Sequence, residues 1–169
     1  MKQPDVDRFL GLGAGSVEGA AGLQLQGGYY RGEEMPAMQR LGVYGGLGVN
    51  FESEGDYSYD FGPGTFGDPR VGERTSAVWG SLGGTYRVAK LLGIRVGLCV
   101  VGTTAYGEYD DPTNILTGGT NGVYTLEEDS GTTAGVEFGF DLISDKDLAA
   151  GAVYSAALDG LLVNISWVL

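Results

Sequence analysis

The chain has 169 residues, with 22 Asp and Glu against 10 Lys and Arg, a formal net charge of −12 and no histidine. Such a chain repels nucleic acid, and without imidazole it has no route to Ser-His-Asp or Cys-His catalysis or to His-ligated zinc. Its single cysteine, Cys99, excludes an internal disulfide and a Cys-based structural zinc site.

Glycine is abundant, at 32 residues. It is scattered through apolar segments, with neither the G-X-Y repeat of collagen nor the low complexity of a linker. Nothing divides the chain, so residues 1–7 read as an N-terminal tail and 8–169 as one domain. There is no apolar run of roughly 18 residues, and hence no transmembrane helix. The opening "MKQPDVDRF" lacks the apolar centre of a signal peptide, which leaves a cytosolic protein or one whose leader has been removed.

The stretch Phe9–Gly22, "FLGLGAGSVEGAAG", tests a phosphate-binding reading and fails it. From Gly11 and Gly13 the third glycine of G-x-G-x-x-G falls on Ser16, and no Gly-Lys-Ser/Thr ending exists for a P-loop. Gly11, Gly13 and Gly15 instead alternate with Leu12, Ala14 and Ser16, the spacing of one strand face.

Helical periodicity is nearly absent, whereas alternation of period two recurs to the end of the chain. Eight strands are expected, at 8–17, 20–31, 39–51, 74–88, 93–106, 131–143, 148–157 and 161–169. The third sets Leu41, Val43, Leu47 and Val49 against Gly42, Tyr44, Gly46, Gly48 and Asn50. The fifth sets Ile94, Val96, Leu98 and Val100 against Arg95, Gly97, Cys99 and Val101. The sixth sets Ala134, Val136, Phe138, Phe140 and Leu142 against Gly135, Glu137, Gly139 and Asp141. The last, "LLVNISWVL", puts Leu161, Val163, Ile165, Trp167 and Leu169 opposite Asn164 and Ser166.

Two barrels satisfy this pattern, and they differ in which face meets the surroundings. In a soluble lipocalin-like barrel the apolar face lines a site for a small hydrophobic ligand. In a transmembrane barrel it faces lipid, so the placement of Phe138 against Glu137 separates the two. The opposite face favours the second, because glycine, serine and a few charges of both signs suit a narrow interior better than a solvated surface. Lys2, Lys90 and Lys146 all fall in the tail or in turns. Connections after the fourth and sixth strands are short ("AKLL", "SDKD"), while those at 52–73 and 107–130 are long and lie on the opposite side. Tyr29, Tyr86, Phe140 and Trp167 gather toward one rim and Phe51 and Tyr106 toward the other, as two membrane interfaces favour.

From Arg8 to Leu169 the chain resembles the small eight-stranded bacterial outer-membrane β-barrel family. The closing strand carries the likeness, with alternating Leu161, Val163 and Ile165 and an aromatic, Trp167, third from the end. Leu169 stands where the family usually ends in Phe or Trp. The resemblance implies an all-β, eight-stranded antiparallel up-and-down transmembrane barrel in the bacterial outer membrane. It also implies contact with lipid and lipopolysaccharide, and a last strand (Val163, Ile165, Trp167, Leu169) read by the barrel-insertion machinery.

In such a barrel Gly11, Gly13 and Gly15 make room in a crowded lumen. Arg87, Arg95, Glu137 and Asp141 also point inward and are expected to form a lumenal ion-pair network, since isolated buried charges are costly. Cys99 reads as a small interior residue. The acidic, tyrosine-rich loops offer Asp56, Tyr57, Tyr59, Tyr109, Asp110 and Asp111 as interaction candidates toward a surface protein or glycan. Their carboxylates suit calcium bridging to lipopolysaccharide phosphates, although no EF-hand spacing is present and a solvated acidic loop is the plainer reading. Glu108, Asp110, Asp111, Glu127 and Glu128 form carboxylate pairs without the cleft that glycoside chemistry requires. The expectation is therefore a structural or surface-interaction protein with no enzymatic activity, catalytic residue, cofactor or metal.

Overall fold

The computed structural model describes residues 6–17, 20–32, 35–51, 53–54, 63–113, 115–116, 122–144 and 147–169. Among these residues the strands are β1 (Val6–Val17), β2 (Ala20–Arg31), β3 (Leu41–Asn50), β4 (Ser53–Glu54), β5 (Arg70–Ala89), β6 (Leu92–Asp110), β7 (Val123–Ile143), β8 (Leu148–Ser155) and β9 (Gly160–Val168). Every pairing is antiparallel. The order β3-β2-β1-β9-β8-β7-β6-β5 closes on itself through a β3–β5 ladder from Leu41↔Tyr86 to Val49↔Val78. The ring is thus a closed eight-stranded up-and-down barrel, with β4 added to the upper part of β5.

The apolar face points outward. Phe138 is 57% exposed while its neighbour Glu137 is 1% exposed, which rules out a lipocalin-like interior. Leu12, Leu25, Leu47, Leu82, Leu98, Val136, Val163 and Ile165 share that outer surface. A belt of this kind is stable only against hydrocarbon, because water would exact the full hydrophobic penalty on every side chain.

The interior is layered. On one strand after another the inward residues run from apolar at the long-loop end, through polar, to aromatic or apolar at the other. The upper layer comprises Val17, Ala77, Trp79, Cys99, Val101, Ala157, Leu158 and Leu162. The lower one comprises Phe9, Tyr30, Tyr44, Ile143 and Ala149. Gln24, Gln26, Ser81, Arg95, Glu137, Asn164 and Ser166 lie between them in strand order and are all buried.

Glycines admit the large interior rings. A Cβ on Gly22 would lie 2.8 Å from the Trp79 indole, and one on Gly48 would overlap it outright. The opening glycines do face inward as expected, but for different reasons. Cβ atoms on Gly11 and Gly15 would overlap β9, whereas one on Gly13 would meet Gln24 at an ordinary 3.6 Å.

Several boundaries differ from the sequence-based expectation. β1 starts at Val6, inside the expected tail. β3 starts at Leu41 because Ala37–Gln39 forms a 3-10 turn. The largest difference is in β5, β6 and β7, which run to 20, 19 and 21 residues. Much of the expected loop at 107–130 is therefore strand, at 107–110 and 123–130. A transmembrane β-strand needs only about 9–11 residues. The surplus of roughly ten carries these strands on the order of 25 Å beyond the belt. Alternation fails to mark 123–130 because every residue there is exposed or half-buried, so "VYTLEEDS" needs no apolar side. The ladder continues with one irregularity, between Ala105 and Tyr106, where Glu128 is the extra residue on β7.

Candidate functional site

Two regions collect the polar chemistry, the middle of the lumen and the ribbon above the belt.

In the lumen, Arg95 on β6 and Asp141 on β7 lie diagonally, since Arg95 pairs with Gly139 and Asp141 with Gly93. Arg95 Nε donates to Asp141 Oδ2 at 2.5 Å and Nη2 donates to Oδ1 at 2.6 Å. Its remaining nitrogen, Nη1, donates to Gln26 Oε1 at 2.7 Å, and Gln26 Nε2 donates to Ser166 Oγ at 3.3 Å. The Tyr30 hydroxyl donates to Asp141 Oδ2. The guanidinium is sandwiched by rings, 4.8 Å from the Phe9 centroid and 5.5 Å from that of Tyr44. Arginine suits this place because its planar fork satisfies a carboxylate bidentately while its faces stack on aromatics.

Glu137 is reached through Tyr44. It accepts from the Tyr44 hydroxyl at 2.6 Å and from Ser81 Oγ at 2.9 Å, and Ser81 in turn accepts from Gln24 Nε2 at 3.1 Å. Arg87 belongs to a separate group near the short-turn end, where it pairs with Asp7 and donates to the Lys90 carbonyl at 2.5 Å. Of the four residues expected to form one network, Arg95 and Asp141 bond directly, Glu137 joins them through Tyr44, and Arg87 stands apart with Asp7. The sequence reading missed Asp7, Tyr30, Tyr44, Gln24, Gln26 and Ser81 as partners. Strand parity was the available signal, since Gln24 and Gln26 share a face with Gly22 and Gly28.

Above the belt, the outward side chains change from Val78, Val100 and Ala134 to Thr104, Ser130 and Thr132. A depression of about 400 Å³ lies here, lined by Val78, Gly102, Thr103, Thr104, Ser130, Gly131 and Thr132. Higher up, Arg74 pairs with Glu108 and Arg70 with Glu73, each at 2.5 Å. Tyr109 and Tyr124 stack with centroids 5.6 Å apart. The Tyr109 hydroxyl donates to Glu128 Oε1 at 2.8 Å, and that of Tyr124 donates to Asp68 Oδ2 at 2.9 Å. Burial, followed by the bond to Glu128, pushes the Tyr109 phenol up to about 12. The Tyr124 phenol is raised by the same two causes, with Asp68 as its partner.

The loop candidates divide accordingly. Tyr109 and Asp111 are buried, so both serve the ribbon rather than presenting themselves at its surface. Asp111 accepts from the Thr113 hydroxyl and from the Leu116 N–H, each at 2.8 Å. Asp110 is half-buried at the end of β6. Asp56, Tyr57 and Tyr59 lie outside the described residues. On the last strand, Val163, Ile165, Trp167 and Leu169 all face outward and are exposed.

No known protein family and no curated protein matches the sequence. In fold the chain is similar to Ail, the attachment invasion locus protein of Yersinia pestis, with a TM-score of 0.61, 11% identity and 98% of each chain covered. It is similar to Ail in complex with the heparin analogue sucrose octasulfate at a TM-score of 0.57, with 13% identity and 98% of each chain covered. A major outer membrane protein from Thermus thermophilus aligns at a TM-score of 0.54 and 16% identity, over 98% of this chain and all of that one. The belt that only lipid can cover and the likeness to these proteins agree, and the chain is in fold a small eight-stranded outer-membrane β-barrel.

Proposed function

We propose that this barrel resides in the bacterial outer membrane, is closed by its own lumenal side chains, has no enzymatic activity, and acts at the cell surface through its acidic ribbon on a cationic protein partner. The observation that carries this reading is the rise of β5–β7 beyond the apolar belt with Glu108, Asp110, Glu127, Glu128 and Asp129 against Arg70 and Arg74. Phospholipid and lipopolysaccharide surround the belt, and the outward residues Val163, Ile165, Trp167 and Leu169 form the segment the insertion machinery reads. Ail forms a complex with a heparin analogue, but a polyanion does not suit a chain of net charge −12.

The test is to pass the protein, embedded in lipid nanodiscs, over surfaces carrying polylysine or heparin. Retention on polylysine that weakens as salt rises is the expected result. Retention on heparin alone overturns the cationic-partner reading.

A further inference from the structure

The short-turn end of the barrel collects basic residues, as the ribbon collects acidic ones. Arg8, Arg31, Arg40, Arg87 and Lys90 all lie there. Arg87 turns inward to Asp7, whereas Arg8 and Arg31 share the outward parity of Leu10 and Leu25. Arg8 is exposed and Arg31 half-buried. In the β1–β2 ladder Arg8 stands opposite Tyr29 and Arg31 opposite Val6, so the two arginines are diagonal neighbours on one surface. Such neighbours have Cα atoms about 7–8 Å apart, within reach of long side chains. Arg31 Cζ lies 5.9 Å from the centroid of the Tyr29 ring. The Arg8 carbonyl accepts from the Leu169 N–H at 2.8 Å, which sets Arg8 beside the last strand, with exposed Trp167 two residues further up it. Among the described residues the exposed carboxylate of this end is Asp147, just before β8 and so two strands from Arg8. Read down the outer surface, β1 runs Leu12, Leu10, Arg8 and β2 runs Leu25, Gly27, Tyr29, Arg31. Apolar, then aromatic, then cationic is the order met on passing from hydrocarbon through the interface into the phosphate layer.

We infer that Arg8 and Arg31 form a binding site for the phosphate of an anionic phospholipid in the leaflet at the short-turn side. The site lies at the end opposite the ribbon and stands whether or not the ribbon takes a cationic partner. A guanidinium holds a phosphate through two parallel N–H donors, and two diagonal forks can close on one headgroup. Tyr29 and Trp167 supply the interfacial rings against which the glycerol and the upper acyl chains rest. Charge selects the lipid. A zwitterionic headgroup brings an ammonium up to two guanidiniums, whereas an anionic one brings none. The net charge of −12 does not cancel this attraction. The acidic ribbon lies beyond an apolar band about 25 Å tall, roughly three times the ~8 Å screening length of physiological salt.

The experiment follows tryptophan fluorescence of the protein in phosphatidylcholine vesicles doped with a lipid brominated on its upper acyl carbons, either phosphatidylglycerol or phosphatidylcholine. Trp167 is 52% exposed and Trp79 1% exposed, so contact quenching reports Trp167, beside the site. Brominated phosphatidylglycerol should quench with an apparent affinity at least about fivefold above that of brominated phosphatidylcholine, the factor that one basic residue typically adds at an anionic surface. Arg8→Gln combined with Arg31→Gln should erase that preference while the barrel still runs as a compact band on unheated gels. Lys90→Gln, which removes a charge from the same rim at the β5–β6 turn, should keep it in full. Equal quenching by the two lipids in the wild type overturns the site, as does a preference that survives the double substitution. Loss of the preference in Lys90→Gln would mean that the rim acts as diffuse charge, and also overturns it. Inorganic phosphate, compared with chloride at equal ionic strength, should leave the quenching unchanged. Displacement by phosphate alone would mean that the arginines take the free ion, and overturns the lipid assignment.

Discussion

Arg95 and Asp141 meet across a diagonal of the β6–β7 ladder, each beside a glycine on the opposing strand, and bind through two hydrogen bonds at 2.5 and 2.6 Å. Both side chains are 1% exposed. The glycine opposite each charge admits a neighbour: a Cβ on Gly93 would lie 2.5 Å from the ring of Tyr30, whose hydroxyl bonds Asp141, and one on Gly139 would overlap β8.

Removing one partner should be costly. Asp141→Ala strands a buried guanidinium, and breaking a buried pair in this way typically costs about 3–5 kcal/mol. The melting temperature in detergent, followed by loss of the compact gel band, should drop sharply. Arg95→Met combined with Asp141→Leu should recover much of the loss, because the charge and its partner leave together. A melting temperature unchanged in Asp141→Ala would sink the pairing argument.

Trp79 and Gly48 should behave as one unit. Gly48→Val drives a branched side chain into the indole, so the barrel should fail to fold or melt far below the wild type. Gly48→Val with Trp79→Ala should fold again, since the space vacated exceeds the space filled. Failure of the second substitution to rescue the first would mean that the clash lies in the backbone instead.

Leu98 tests the lipid face. It is 62% exposed, in mid-strand between Leu82 and Val136. An arginine on the lipid face near the midplane costs about 2–4 kcal/mol. Leu98→Arg should lose that much stability in equilibrium unfolding from lipid vesicles, while Leu98→Phe should be nearly neutral. Equal stability of all three proteins would place Leu98 outside the hydrocarbon.

The ribbon should loosen in alkali through Tyr109. Its phenol is raised from an ordinary value of 10.0 to about 12, first by burial and then by its bond to Glu128. Below pH 10 the phenol is neutral whether the ribbon is formed or not, and its contribution is fully present. Between pH 10 and about 12 the opened ribbon loses the proton first, so stability falls as pH rises and the contribution is gone above the folded value. Amide exchange across 107–110 and 123–128 should accelerate over this window in the wild type. Tyr109→Phe should show a smaller step, the raised phenol of Tyr124 supplying what remains, and an identical pH profile in both proteins would refute the assignment.

The barrel itself was legible because each membrane-crossing strand alternates, and Val136 to Leu142 announce both faces within seven residues. The turns at Lys90–Leu91 and near Asp147 were legible from their short, charged spacing. The ribbon was not. Residues 123–130 carry no apolar face, and only the register inherited from the β6–β7 ladder below keeps them extended. Tyr109 and Asp111 looked like surface groups because tyrosine and aspartate usually are, yet folding buries one against its stacked partner and the other within a turn.

The sequence by itself determined which residues face lipid and which face the lumen, since period-two alternation is a local property of an extended chain and survives any choice of neighbours. Only the tertiary structure decided the partners: that Arg95 takes Asp141 and Gln26, that Glu137 rests on Tyr44 and Ser81, that Arg87 reaches Asp7, and that β7 pairs with β8 from Glu137 to Ile143. Those pairings depend on how far each strand slides past the next as the sheet closes. That shear is a collective property of the ring, which no single strand encodes.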